Sequence, residues 1–172
     1  KETALSWLHA AVEQEYADAQ YLQGRLCYEG RLVGKDLQMA AKLFALAAAQ
    51  GNTDAQCDLG FCYLTGQGVR NDKEIAVRWF VKAAEQGNVR AQHNIGVCYY
   101  EGLGLEQSYE EAVKWFTLAA DEGYPDSEYY LGVCYNNGQG VEKSRSTAVK
   151  LLRRAKKGGN EEASEALKIL SE

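Results

Sequence analysis

The sequence has little of several features that mark other classes of protein. It contains one proline and no long polar tract, so it gives no sign of a linker or a disordered segment. No run of about 18 apolar residues occurs, which predicts that no segment inserts into a membrane. Only two histidines, His9 and His93, are present, which leaves few candidates for general acid–base catalysis.

Charge and composition narrow the class further. The chain of 172 residues is 46% hydrophobic and carries a formal net charge of -5. This acidity argues against nucleic-acid binding, which needs a concentrated basic face. The balance of apolar and charged residues predicts a single soluble domain.

A unit of 36 residues recurs four times without an insertion or a deletion. A period of this length indicates a solenoid, in which each unit buries its apolar face against its neighbours. The recurring positions include Gly24, Gly60, Gly96 and Gly132; Ala40, Ala76, Ala112 and Ala148; and Gly51, Gly87, Gly123 and Gly159.

Each unit reads as two helices separated by a glycine-containing turn. In the second unit the apolar spacing predicts a first helix from about Thr53 to Thr65 and a second from about Asp72 to Gln86. The fold is therefore predicted to be all-α. Glycine within a helix costs about 1 kcal/mol relative to alanine, so Gly60 and its equivalents predict close contact with alanines such as Ala83.

The repeat boundaries place one domain over residues 1–172. It is predicted to begin with a second-helix half-repeat and to end with a capping helix around four full repeats: 1–16; 17–52, 53–88, 89–124 and 125–160; and 161–172.

The motif of the second unit resembles the Sel1-like repeat, a relative of the tetratricopeptide repeat. The matching residues are Ala55-Gln56, Leu59-Gly60, Tyr63, Gly66-Gln67-Gly68-Val69, Asp72, Ala76, Trp79-Phe80, Lys82-Ala83-Ala84 and Gln86-Gly87-Asn88. The resemblance implies a right-handed α/α superhelix whose first helices line a concave face. It also implies an adaptor that assembles protein complexes.

Two departures from the motif have expected consequences. Leu32 stands where the second loop glycine is expected, so the turn of the first repeat is expected to differ. Leu151 and Leu152 replace the tryptophan–phenylalanine pair in the fourth repeat, which predicts looser packing near the C-terminal end.

The resemblance also implies which side chains face the concave surface. These positions share a register but differ in identity, as a recognition surface requires, and tyrosine and arginine are efficient anchors. Ordinary packing between neighbouring repeats is the alternative. The predicted partner is another protein or a peptide, with Asp18, Asp54 and Asp126 favouring basic residues. The partner-binding residues are Asp18, Tyr21, Arg25, Tyr28, Asp54, Cys57, Phe61, Leu64, Arg90, His93, Val97, Tyr100, Asp126, Tyr129, Val133 and Asn136.

The cysteines predict neither a disulfide nor a metal site. Equivalent cysteines of adjacent repeats lie about 10 Å apart, which is too far for a disulfide. The resemblance to cysteine-rich Sel1-like proteins would imply a disulfide between the two helices of one repeat, but the second helices here contain no cysteine. Cys57 and His93 occupy the same position in adjacent repeats, so they are likewise too far apart to bind one metal ion. Buried free thiols favour a cytoplasmic location over a secreted one. No cofactor is predicted.

Catalysis has no support in the motifs. The resemblance to relatives described as β-lactamase-like would require Ser-x-x-Lys, whereas Ser146 and Lys150 are one residue too far apart. The sequence therefore predicts a binding protein that is not an enzyme. Two alternatives stay open, namely self-association through the N-terminal end or the groove, and a hydrolase.

Overall fold

A computed structural model describes residues 2–171, with side chains for residues 6–170. The described residues form ten helices and no strand. The helices are α1 (Glu2–Glu13), α2 (Ala17–Glu29), α3 (Leu37–Ala49), α4 (Thr53–Thr65), α5 (Lys73–Ala84), α6 (Val89–Glu101), α7 (Tyr109–Asp121), α8 (Pro125–Asn137), α9 (Arg145–Lys157) and α10 (Glu162–Ser171). The prediction of an all-α fold is confirmed. Lys1 and Glu172, the outermost residues of the predicted half-repeat and cap, lie outside the described residues.

The second helices of the repeats begin at side-chain caps. Asp36, Asp72, Ser108 and Ser144 each accept a hydrogen bond from the backbone N–H three residues further on. Such a cap satisfies one of the amides that the first helical turn leaves without a partner. Glycine ends the first helices α2, α4 and α8 in the left-handed conformation.

The helices group into two compact units. One unit runs to Asn88 and contains α1 to α5; the other begins at Val89 and contains α6 to α10. Within each unit, helices that follow one another along the chain pack together. The prediction of one domain over the whole chain stays a prediction.

The close contact predicted at the helical glycines is present, but at Gly60 and Gly96 the nearest partner is a phenylalanine ring and not Ala83 or Ala119. A Cβ atom added to Gly60 would lie 2.7 Å from the ring of Phe80, and one added to Gly96 would lie 2.7 Å from the ring of Phe116. Both phenylalanines are 0% exposed. The flat ring, rather than a small side chain, therefore requires the missing Cβ.

The first departure from the motif keeps the turn of the other repeats, contrary to prediction, whereas the second loosens the packing near the C-terminal end, as predicted. Leu32 adopts a φ of 65°, close to the 76° of Gly68, so the turn is retained with a side chain in the left-handed region. In the fourth repeat Leu152 is 1% exposed and packs against Gly132 as phenylalanine does elsewhere. The aliphatic side chain occupies the same core position, but it also lines a cavity of about 140 Å³ together with residues of α8 and α10, so packing there is looser.

Candidate partner-binding face on the first helices

The sixteen predicted partner-binding residues lie on α2, α4, α6 and α8, and we call them the first-helix face. Three of them are exposed, namely Asp18, Asp54 and Phe61. Cys57 is 0% exposed, so it packs inside the protein and is left out of the proposed contact residues. The other residues are half-buried: Tyr21, Arg25, Tyr28, Leu64, Arg90, His93, Val97, Tyr100, Asp126, Tyr129, Val133 and Asn136.

In the first unit, the tyrosines of this face also make internal contacts. The Tyr21 hydroxyl donates a hydrogen bond to Oδ2 of Asp58 on α4, with an O–O distance of 3.1 Å. The rings of Tyr21 and Tyr28 contact Phe44, with centroids 5.9 Å and 6.3 Å away. Tyr21 therefore links α2 to α4 of the next repeat, and both rings pack against the core within the first repeat.

The aspartates of the face have a structural partner. Asp18 accepts a hydrogen bond from the side-chain amide of Asn52 at 2.9 Å, and the Asn52 carbonyl oxygen caps α4 by accepting from the Ala55 amide. Asp126 accepts from Asn160 in the same way, and the Asn160 carbonyl oxygen accepts from the Ala163 amide. Asp54 likewise accepts from Asn88 at 2.9 Å. Asp18 and Asp126 thus orient asparagines that cap a following helix, a structural role that needs no partner protein.

His93 lies at the centre of an aromatic group in the second unit. Its Nδ1 is 2.9 Å from the Ser127 hydroxyl, and its ring centroid is 5.1 Å from that of Tyr124. Phe116 and Tyr130 contact the same ring. Burial lowers the pKa of His93 to about 4, against a smaller opposing effect of Asp126, so the imidazole is neutral at pH 7.

The tyrosines of the second unit form a continuous group across α6 and α8. Tyr130 stacks on Phe116 with a centroid separation of 5.0 Å and meets Tyr100 edge-on at 5.6 Å. The Tyr100 hydroxyl donates to Gln139 at 3.1 Å. Tyr129 contacts Tyr130 edge-on at 5.6 Å, so this residue of the face is held by a packed neighbour.

A buried polar row runs along each unit beside this face. In the first unit the Gln86 amide donates to Oε1 of Gln56 at 2.8 Å, and the Gln56 amide donates to the Ala48 carbonyl at 3.1 Å. The equivalent of Gln56 in the fourth repeat is Glu128, which is paired with Arg154. Burying a polar group without a hydrogen bond costs free energy, and these contacts avoid that cost.

All five cysteines are free and buried. Burial raises the pKa of the Cys98 thiol to about 12 and those of Cys62 and Cys134 to about 11. A protonated, buried thiol is a poor nucleophile, so these side chains act as small apolar core groups.

Sequence reasoning missed three residues that shape the exposed surface here. Leu22 on α2 is 52% exposed beside the predicted positions, and Ala166 and Ile169 of α10 border a cavity next to α8. Comparing side-chain size at equivalent positions would have found the cavity, because Ala166 replaces Tyr130 one repeat earlier.

Within the described part of the chain, no three His, Cys, Asp or Glu side chains cluster as metal ligands would. None of the described helices is long and apolar enough to cross a membrane.

Comparison with known proteins identifies the repeat. The family model described as Sel1 repeat matches residues 17–52, 53–88, 89–124 and 125–160. A Sel1 repeat protein from Oxalobacter formigenes is 29% identical, with a TM-score of 0.92, and the match covers 96% of this chain and 66% of that one. A protective antigen of uropathogenic Escherichia coli strains with the SLR fold is 36% identical, with a TM-score of 0.88 over 93% of this chain and 34% of that one.

Two further facts qualify these matches. The chain spans less than two thirds of the length of either structure. Helicobacter pylori cysteine rich protein B is 22% identical with a TM-score of 0.59, which shows likeness of fold alone. Among curated proteins, the comparison gave no match.

Sel1 repeats commonly serve as protein–protein interaction modules and are generally non-catalytic. Three observations indicate the same family. They are the recurring motif, the helix pairs with their glycine–phenylalanine contacts, and the four repeats matched by the family model. The chain belongs to the Sel1 repeat family.

Proposed function

We propose that this protein binds a segment of another protein through the first-helix face. The observation that carries the proposal is variation on a fixed scaffold. The positions of Arg25, Phe61, Val97 and Val133 are equivalent in the repeat, yet they carry a cation, an aromatic ring and two aliphatic groups. The neighbouring core positions hardly change, so the fold does not demand this variety.

Exposure in the first unit supports contact with an apolar partner group. Leu22 is 52% exposed and Phe61 is 39% exposed, on α2 and α4 respectively. Arg25 adds a cation whose side chain is 43% exposed and is paired with Glu29. Large apolar groups beside an arginine are the composition that interface centres favour.

In the second unit, the support comes from rigidity. Tyr129 is half-buried and held edge-on by Tyr130, so its orientation is fixed before a partner arrives. Val97 and Val133 are also half-buried. Rigid side chains lose little conformational entropy on binding, which favours affinity.

The test begins with a peptide selected from a display library on the intact protein, with affinity then measured by fluorescence anisotropy. Phe61→Ala and Tyr129→Ala are each expected to weaken binding about tenfold, which corresponds to about 1.4 kcal/mol. Leu46→Ala on α3 and Leu118→Ala on α7 are matched controls, since these residues are 44% and 49% exposed on second helices. Binding lost only in the two controls would overturn the proposed face.

A further inference from the structure

The second unit contains a small apolar cavity where α8, α9 and α10 meet. Its volume is about 140 Å³, and it opens to the surface beside Ile169, which is 66% exposed. Two of its lining residues, Val133 and Asn136, belong to the first-helix face. The lining comprises Val133, Asn136, Leu152, Ala166, Ile169 and Leu170.

The same place one repeat earlier is filled by an aromatic ring. There the ring of Tyr130, from the following first helix, stacks on Phe116 at 5.0 Å with an interplanar angle of 21°. Tyr100 closes the other side with its ring centroid 5.6 Å from that of Tyr130. A ring therefore fits this position of the repeat when the repeat itself supplies one.

Three reductions in side-chain size empty the position between α8 and α10. Ala166 stands at the equivalent of Tyr130, and Leu152 stands at the equivalent of Phe116. Asn136 stands at the equivalent of Tyr100. These smaller side chains leave the cavity at the place that the ring of Tyr130 occupies one repeat earlier.

A cation lies next to the opening. The Arg145 guanidinium donates a hydrogen bond to the backbone carbonyl of Leu170, a lining residue. The guanidinium places a positive charge at this edge of the cavity, to which a nearby anion would be attracted.

We infer that this cavity receives an aromatic side chain of a partner protein, flanked in the partner by an acidic residue. The inference rests on the proposed function, because it names one contact of the partner segment at the C-terminal part of the first-helix face. The size is adequate, since an engineered apolar cavity of about 150 Å³ lined by leucine, isoleucine and phenylalanine binds benzene. The ring would contact Val133, Leu152 and Leu170, and the carboxylate would approach Arg145.

The test uses p-cresol, the side-chain analogue of tyrosine, and therefore needs no partner protein. Methyl signals of Ala166, Val133 and Leu170 are followed by NMR during titration of the intact chain. We expect saturable shifts with a Kd of about 1 mM, as suits a ligand of this size. Ala166→Tyr, which restores the ring from within, should abolish the shifts at Val133 and Leu170.

The matched control is Glu165→Tyr, which adds the same side chain to α10 at an exposed position. It should leave the p-cresol affinity unchanged within twofold. Ala166→Leu fills only part of the cavity and should weaken p-cresol binding at least tenfold, which keeps the test decisive should the tyrosine variant not fold. The absence of shifts in the wild type, or their persistence in both Ala166 variants, would overturn the inference.

A second titration tests the acidic flank with 4-hydroxyphenylacetate, which adds a carboxylate to p-cresol. It should bind about two- to threefold tighter than p-cresol in the wild type, as expected of an exposed charge pair. Arg145→Gln should remove this difference and leave p-cresol unaffected. Equal affinities in the wild type would contradict the acidic flank.

The two proposals fail separately. Peptide binding that survives Phe61→Ala unchanged would count against the first-helix face of the first unit, and this result does not involve the cavity. Absence of p-cresol binding would count against the cavity proposal alone, because the peptide measurements with Phe61→Ala do not depend on the cavity.

Discussion

Arg154 lies 2.7 Å from Oε1 of Glu128, a carboxylate whose side chain is only 5% exposed. The same guanidinium donates to the Ala120 carbonyl at 3.0 Å. In the first unit, Gln56 makes the equivalent contact with Ala48 through its own amide. A carboxylate has no proton to donate, so in the fourth repeat an arginine supplies both hydrogen bonds.

Arg154→Ala is therefore expected to cost about 2–3 kcal/mol of unfolding free energy, because it leaves a buried carboxylate and a carbonyl without donors. The measurement is urea denaturation followed by circular dichroism. Arg153→Ala is the matched control, since Arg153 is an exposed neighbour on the same helix, and it should change stability by less than about 0.5 kcal/mol.

Adding Glu128→Gln to Arg154→Ala should recover most of the loss, since a glutamine at 128 can donate to Ala120 as Gln56 donates to Ala48. Equal effects of Arg153→Ala and Arg154→Ala would contradict this account. So would a double variant no more stable than Arg154→Ala.

His93 makes the stability of the second unit sensitive to acid. Its folded-state pKa of about 4 lies below the ordinary value of 6.5, so the unfolded chain binds more protons between these values. Stability from this group is complete above pH 6.5 and is lost as pH falls toward 4. The loss is about 3 kcal/mol, because each pKa unit corresponds to about 1.36 kcal/mol.

Thermal unfolding from pH 7.5 to 4 checks this prediction. His93→Gln should flatten the pH dependence of the melting temperature, whereas His9→Gln, at an exposed histidine, should leave it unchanged. An unaltered slope in His93→Gln would show that another group controls acid sensitivity.

Leu32 carries conformational strain that glycine would relieve. Its φ of 65° costs about 1–2 kcal/mol for a residue with a Cβ atom, and its side chain is 60% exposed, so little burial is lost on removal. Leu32→Gly is expected to raise stability by about 0.5–1 kcal/mol after the entropy cost of glycine. Leu32→Ala keeps the Cβ and should give no such gain, which differential scanning calorimetry can distinguish.

Gln92 has a buried side-chain oxygen with no hydrogen-bond partner. Its equivalent Gln56 receives a hydrogen bond from Gln86, but the corresponding residue in the third repeat is Glu122, whose carboxylate cannot donate. Glu122→Gln is expected to stabilise the protein by about 1 kcal/mol. Asp121→Asn makes the same loss of charge at an exposed neighbour and should have no comparable effect in urea denaturation.

Much of the fold could be predicted because its determinants are local. The period, the apolar spacing and the cap residues predict the helix pairs, and α4 has the bounds expected from Thr53 to Thr65. The family resemblance came from the same residues. The sequence was a poorer guide to which side chains pack together, since an alanine was predicted opposite Gly60 and the nearest group there is the ring of Phe80.

The sequence alone determined which positions vary, because register is a property of spacing along the chain. Only the tertiary structure decided what each varied side chain does. It buried Cys57, tied Asp18 to the Asn52 cap and placed His93 among aromatic rings, while it left Phe61 exposed. It also opened the cavity beside Ala166. These outcomes depend on the volumes of side chains that meet from different helices, a quantity that periodicity does not contain.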